Sequence, residues 1–187
     1  WGGQLISLVG TWMQTTGQAW LVLQLTHSAW LLGVVGALQF VPILLFSLFS
    51  GVIADKFPKR KLLVFTQIFS MLLAATLWLL VVTHTVQLWH VLVLAALLGV
   101  SNSLDMPVRQ SFVAEMVGRE VLPNAIALNS SIFNLARILG PGIGGLLIAW
   151  LGEAPLFLLN AISFLPVLAG LFLMRDRELF ARPAKSG

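Results

Sequence analysis

Polar and charged positions divide a nearly continuous apolar chain into six long blocks. They run over Gly3–Leu25, Trp30–Ala54, Leu62–Val82, Trp89–Met106, Ile126–Leu151 and Ala154–Met174. Each is about 18 to 26 residues long, enough at 1.5 Å per residue to cross a ~30 Å hydrocarbon layer. None shows the two-residue alternation of a membrane strand, and a segment inside lipid must satisfy its own amides. The pattern therefore predicts six transmembrane helices. Between the fourth and fifth blocks, Pro107–Pro123 reads as a longer loop. In it Phe112, Val113, Met116 and Val117 recur at helical spacing, which predicts a short amphipathic helix at the membrane surface.

Composition agrees with that class and removes others. Of 187 residues, 58% are hydrophobic and 10% charged, against about 25% charged in soluble domains. A soluble enzyme is excluded, and so is a disordered chain. The net charge of +4 and the sequence pI near 10.4 would suit nucleic acid only if a folded surface gathered the cations on one face. Long apolar runs separate them here, so the predicted partner is the lipid bilayer and not nucleic acid. There is no cysteine, which excludes disulfides, thiolate chemistry and cysteine-held metal sites. Trp1 leads straight into apolar sequence without a basic n-region, so the first block is not a signal peptide; the missing start suggests a fragment.

The placement of the charges predicts the topology. All 11 Lys and Arg except Arg137 fall in Lys56–Lys61, at Arg109 and Arg119, or in the tail from Arg175 to Lys185. These stretches share one side of the membrane. The opposite turns, near His27, His84 and Glu153, hold no Lys or Arg. By the positive-inside rule the basic side is cytoplasmic, and both ends of the chain lie there. Trp20, Trp30, Trp78, Trp89 and Trp150 fall near the outer helix ends, where indoles suit the headgroup level. His27, His84 and His90 lie at the same edge and read as interfacial residues, not metal ligands.

Within the helices a few positions carry chemistry. In the first block Gln4, Ser7, Thr11, Gln14, Thr15 and Gln18 share an arc of about 100°, with Gly3, Gly10 and Gly17 on the adjacent arc. Such a polar stripe faces either a water-filled path or a polar partner helix, and the glycines allow close helix approach. The second block carries Gln39 and ends in Gly51, Asp55, Lys56, Lys59, Arg60 and Lys61. The basics set topology, but an acid does not serve that purpose, so Asp55 has another role, pairing with a cation or capping a helix. In the fifth block Ala136, Gly140 and Gly144 share a face suited to tight packing, with Pro141 and Gly145 beside them. Arg137 is the one charge well inside a block, roughly 16 Å from its start, too deep to snorkel. Its candidate partners are a backbone carbonyl, Asn129, Asn134, a glutamine of the first helix, an absent part of the protein, or an anionic substrate. Asp105 and Arg109 stand four apart with Pro107 between them, which leaves their pairing open. An intramembrane enzyme lacks its residues: there is no G-x-S-x-G, no mid-depth histidine and no aspartate pair. A six-helix protein that dimerises, or a non-transporting scaffold, is the alternative to a transporter.

Two of these stretches resemble motifs of the major facilitator superfamily. Gly51–Lys61 is similar to the loop motif between the second and third helices, G-x-x-x-D-[RK]-x-G-[RK]-[RK]-[RK], with Pro58 in place of the turn glycine. Ala136–Gly145 resembles the antiporter motif of the fifth helix, G-x-x-x-G-P-x-x-G-G, matching at Gly140, Pro141, Gly144 and Gly145. Gly3–Gln14, Ala37–Pro42, Pro107–Gln110 and Asn134–Arg137 resemble the branch containing the enterobactin exporter and macrolide efflux proteins. Many proton-coupled exporters carry an arginine four residues before a glycine of the fourth helix; Ala95 stands there, before Gly99.

The resemblance implies an all-α integral membrane six-helix bundle over residues 1–174, the N-terminal half of a facilitator fold, with 175–187 beginning the central cytoplasmic loop. It implies a secondary transporter in the bacterial inner membrane that exports a small organic molecule by alternating access. No cofactor is implied, and proton coupling is. Asp55 and its basic neighbours would latch the cytoplasmic side, and the Gly140–Gly145 face would seal against a C-terminal six-helix half. Gln14, Gln18, Gln39, Asn134 and Arg137 would line the cavity.

Overall fold

The computed structural model describes residues 2–174, apart from the side chains of Ser47, Leu48, Val52, Ala54, Asp55, Gly118 and Arg119. The tail cations Arg175, Arg177, Arg182 and Lys185 lie outside the described residues, as does the expected central loop. Five helices follow one another: α1 (Gly2–Thr26), α2 (Ala29–Lys56), α3 (Lys59–Val82), α4 (Leu88–Leu151) and α5 (Ala154–Leu173). No strand occurs among the described residues.

The expected fourth and fifth helices are limbs of one helical element. α4 has 64 residues, which as a straight rod would reach about 96 Å. Its contacts exclude a rod. The Val91 carbonyl receives Gln18 Nε2 at 3.5 Å, while Gly140 packs against Trp12, less than two turns along α1. In a straight helix Val91 and Gly140 would lie about 73 Å apart. The element therefore doubles back, between Glu115, paired to Lys59 at the foot of α3, and Asn129, hydrogen-bonded to Gln4 at the foot of α1. Pro123 falls in that reversal, where a missing amide lets a helix bend.

This corrects the reading of Pro107–Pro123 as a loop with a separate surface helix. A proline removes only its own N–H, and the helix continues through it. The first apolar limb extends over Leu88–Val117, and Phe112 and Val113 are buried. Phe112 packs in an inner core with Leu63, Val108, Val167 and Leu171. The second limb is Glu120–Leu151. With α2, α3 and α5 these make five segments long and apolar enough to cross a membrane. α1, with 25 residues, has the length of a sixth but carries the polar stripe.

Local signals set the helix ends. Gln87 and His90 form a reciprocal capping box at the start of α4. Gly152, with φ 78°, ends it, and Pro155 stands in the first turn of α5. His27 and His84 follow α1 and α3 with φ of 52° and 55°, a left-handed conformation that costs a side-chain-bearing residue about 1 kcal/mol. His84→Gly is therefore expected to raise the melting temperature of the detergent-purified full-length protein by a few degrees, and His84→Val to lower it.

Small residues bring the helices together. Gly3, Gly10 and Gly17 face α5: a Cβ would meet Pro166 at 3.1 Å, Ser163 Oγ at 2.5 Å and Leu156 Cδ2 at 3.1 Å respectively. The seven-residue glycine spacing is thus the α1–α5 seam. Inside lipid such contacts contribute dispersion and hydrogen bonding and gain little hydrophobic energy, because the tails are as apolar as the side chains. The rest of the surface is oily, with Trp30, Leu44, Trp150 and Leu173 each at least three-quarters exposed. Trp20 and Trp89 are also exposed, whereas Trp78 packs on the hydrophobic cluster of Leu77 and Val81.

Candidate functional site

At the turn between α2 and α3, Pro58 starts α3 and sends the three following cations in different directions. Lys59 pairs with Glu115 of α4, and Arg60 donates to the Phe172 carbonyl of α5 at 3.1 Å. Lys56 and Lys61 are exposed, and Gly51 has open space beside it. The Asp55 side chain lies outside the described residues. The expected gate motif thus ties α3 to α4 and α5.

Just above it a buried polar seam joins α3 to the first limb of α4. Arg109 donates to Asp105 twice, Nε to Oδ2 at 2.9 Å and Nη2 to Oδ1 at 3.1 Å. Thr66 Oγ1 and Gln67 Nε2 donate to Asp105 Oδ1 at 2.7 and 2.9 Å. One turn deeper, the Ser70 and Ser101 hydroxyls meet at 2.9 Å. The helix persists through Pro107, so the i, i+4 geometry that the sequence left open is achieved. The sequence reading passed over Thr66, Gln67, Ser70 and Glu115. The signal was available: the first three are polar positions within one turn of an otherwise apolar block, opposite the Ser101–Asp105 run.

The polar stripe of α1 is used between helices. Gln4 donates to Asn129 at 2.6 Å, and Asn160 of α5 donates to Gln14 at 2.7 Å. Gln39 of α2 donates to Gln18 at 3.2 Å. Thr11 and Thr15 return their hydroxyls to their own helix. Of the two readings of the stripe, a polar partner helix describes Gln14 and Gln18, both buried. Gln39 remains half-exposed.

The antiporter-like motif is divided. Ala136, Gly140 and Gly144 are buried. A Cβ on Gly140 would run into Trp12 Cβ, with the Val9 carbonyl oxygen at 3.0 Å and the Met13 nitrogen at 3.1 Å. Gly142 and Gly145 have nothing within 4 Å, and Pro141 is exposed. The expectation that the whole Gly140–Gly145 face points outward is corrected accordingly: Gly140 and Gly144 seat α1, and only Gly142 and Gly145 are open.

Arg137 and Asn134 are exposed on this second limb. Arg137 lies roughly 26 Å along the helix from Glu120 and 21 Å from Leu151, so neither end is within a side chain's reach. Its guanidinium stands 5.9 Å from the centroid of the Trp12 ring, which meets Phe133 edge-on at 5.8 Å. Asn134 donates to the Ser130 carbonyl at 2.9 Å. At 100° per residue Ser130, Asn134, Arg137 and Pro141 share one exposed arc, while Leu128, Leu139 and Leu146 occupy the opposite one. Among the described residues no group of acidic and histidine side chains could hold a metal ion.

A family model described as "transmembrane secretion effector", within the major facilitator superfamily, matches residues 1–183. The chain belongs to the major facilitator superfamily. This family consists of transporters, not enzymes, and its all-α multi-pass membrane bundle agrees with the helices described above. Among similar proteins, the staphyloferrin A transporter of Staphylococcus aureus is 33% identical over 83% of this chain and 40% of its own length. The multidrug efflux pump Tap of Mycolicibacterium fortuitum is 35% identical over 71% of this chain and 34% of its own length. Macrolide efflux protein A of Streptococcus pyogenes is 21% identical over 90% and 40%. This facilitator-superfamily chain thus spans less than half the length of the curated relatives it matches.

Proposed function

We propose that this chain forms the N-terminal half of a secondary transporter that exports a small organic molecule by alternating access. The observation that carries the reading is the exposed polar arc Ser130–Asn134–Arg137–Pro141 at mid-membrane depth. A cation facing lipid there would cost several kcal/mol, so the arc faces a hydrated path or a second half. The relatives named for a siderophore and for drugs support a siderophore-like or drug-like cargo. Proton coupling and a bacterial inner-membrane setting belong to the same reading, with the basic inner turns in the cytoplasm. In it Asp55 latches the cytoplasmic side, Gly142 and Gly145 meet the second half, and Gln39 and Asn134 border the path.

Flux into everted vesicles tests this. A wild-type vesicle should accumulate labelled siderophore or macrolide when energised, and Asp55→Asn, at equal expression, should slow that uptake by about tenfold. Unchanged flux in Asp55→Asn removes the latch; absence of energised uptake in wild type removes the exporter.

A further inference from the structure

Among the described residues, Arg137 is the charged side chain of the second limb's interior that makes no hydrogen bond. No carboxylate among the described residues reaches it; Asp105 is taken by Arg109, and Glu115 by Lys59. Yet the guanidinium is not adrift. It lies over the Trp12 ring, and Phe133, one turn before it on the same helix, braces that ring edge-on. Packing Trp12 against Gly140 fixes the indole in turn.

A guanidinium held over a ring by its charge keeps its planar fork of N–H donors free to make two parallel hydrogen bonds. A forked donor edge beside an aromatic wall, held on an exposed face in a low-dielectric setting, selects for a planar anion joined to an apolar ring. We infer that Arg137, Trp12 and Phe133 form a recognition point for an organic carboxylate with an aromatic or apolar body, the carboxylate taking the Arg137 edge and the body lying along the two rings.

This inference rests on the transport reading and gives it a substrate class. Its test uses three probes of one shape and different charge on the purified full-length protein: 1-naphthoate, neutral 1-naphthamide and cationic 1-naphthylmethylamine. Naphthoate should bind at least about tenfold tighter than the amide, and the amine should not compete. Arg137→Gln should remove most of the preference, bringing naphthoate down to the amide's affinity. Arg137→Lys should keep part of the preference, and Trp12→Leu should weaken naphthoate and amide together. Equal binding of carboxylate and amide to wild type overturns the inference without needing any variant to fold. So does a preference that survives Arg137→Gln, the result expected if the arginine instead pairs with a carboxylate of the second half. Vesicle flux of the same probes separates the two levels. Transport without anion preference rejects the carboxylate site alone, whereas anion preference without transport of any probe rejects the exporter.

Discussion

Asp105→Ala is expected to be the most damaging single substitution among the described residues, costing roughly 3 kcal/mol or more and sharply lowering the amount of folded protein. The side chain is only 15% exposed and accepts four hydrogen bonds, two from Arg109 and one each from Thr66 and Gln67. Its removal leaves a 22% exposed guanidinium unpaired and takes the acceptor from Gln67 Nε2, while Thr66 keeps the Leu63 carbonyl. The cost comes mainly from the orphaned cation, so Asp105→Ala combined with Arg109→Leu should recover much of the loss. Membrane yield and thermal melting of the four forms, compared as a double-mutant cycle, check this. Additive losses would mean that the pair is not the source of the effect.

Gly140→Val is expected to come second, through the backbone. At Gly140 the second limb of α4 touches α1 so closely that a Cβ would meet Trp12 Cβ and the main chain at Val9 and Met13. Main-chain atoms cannot rotate aside, so the helices must separate. That releases the α1 contacts and costs about 3 kcal/mol, the upper end of ordinary overpacking. Gly142→Ala and Gly145→Ala, in the same motif with open space in this half, should leave melting nearly unchanged. If they nonetheless slow transport, they meet something beyond the described residues. Equal destabilisation at Gly140 and Gly142 would contradict the assignment of faces.

The helices were legible because lipid imposes a length and an apolar composition on any span, and the scattered cations ordered the turns between them. The seven-residue glycine spacing of α1 marked a close seam, but its partner, α5, was not legible, since the sequence does not say which helices are neighbours. The same gap hid the Asp105 seam: Thr66, Gln67 and Ser70 acquire meaning only when α3 lies beside the first limb of α4. Pro107 and Pro123 misled, because a proline weakens a helix at one amide without having to end it. For Gln14 and Gln18 the arc was legible but not the choice between water and a partner helix, since the α2 and α5 donors to them come from elsewhere in the sequence. Arg137 was singled out by depth alone; its indole neighbour, 125 positions away in sequence, became visible only in the fold.

The central claim is that the Arg137 face of α4 lines a hydrated path, whatever the cargo. Since this chain has no cysteine, single cysteines can be placed within it: Asn134→Cys on the Arg137 arc and Leu146→Cys on the opposite one, both exposed in this half. The full-length protein in native membranes, with any cysteine outside this chain replaced, is treated with a charged, water-soluble maleimide. Labelling is expected at position 134 and not at 146, where lipid excludes the reagent. Labelling at 146 alone, or at neither position, would contradict it.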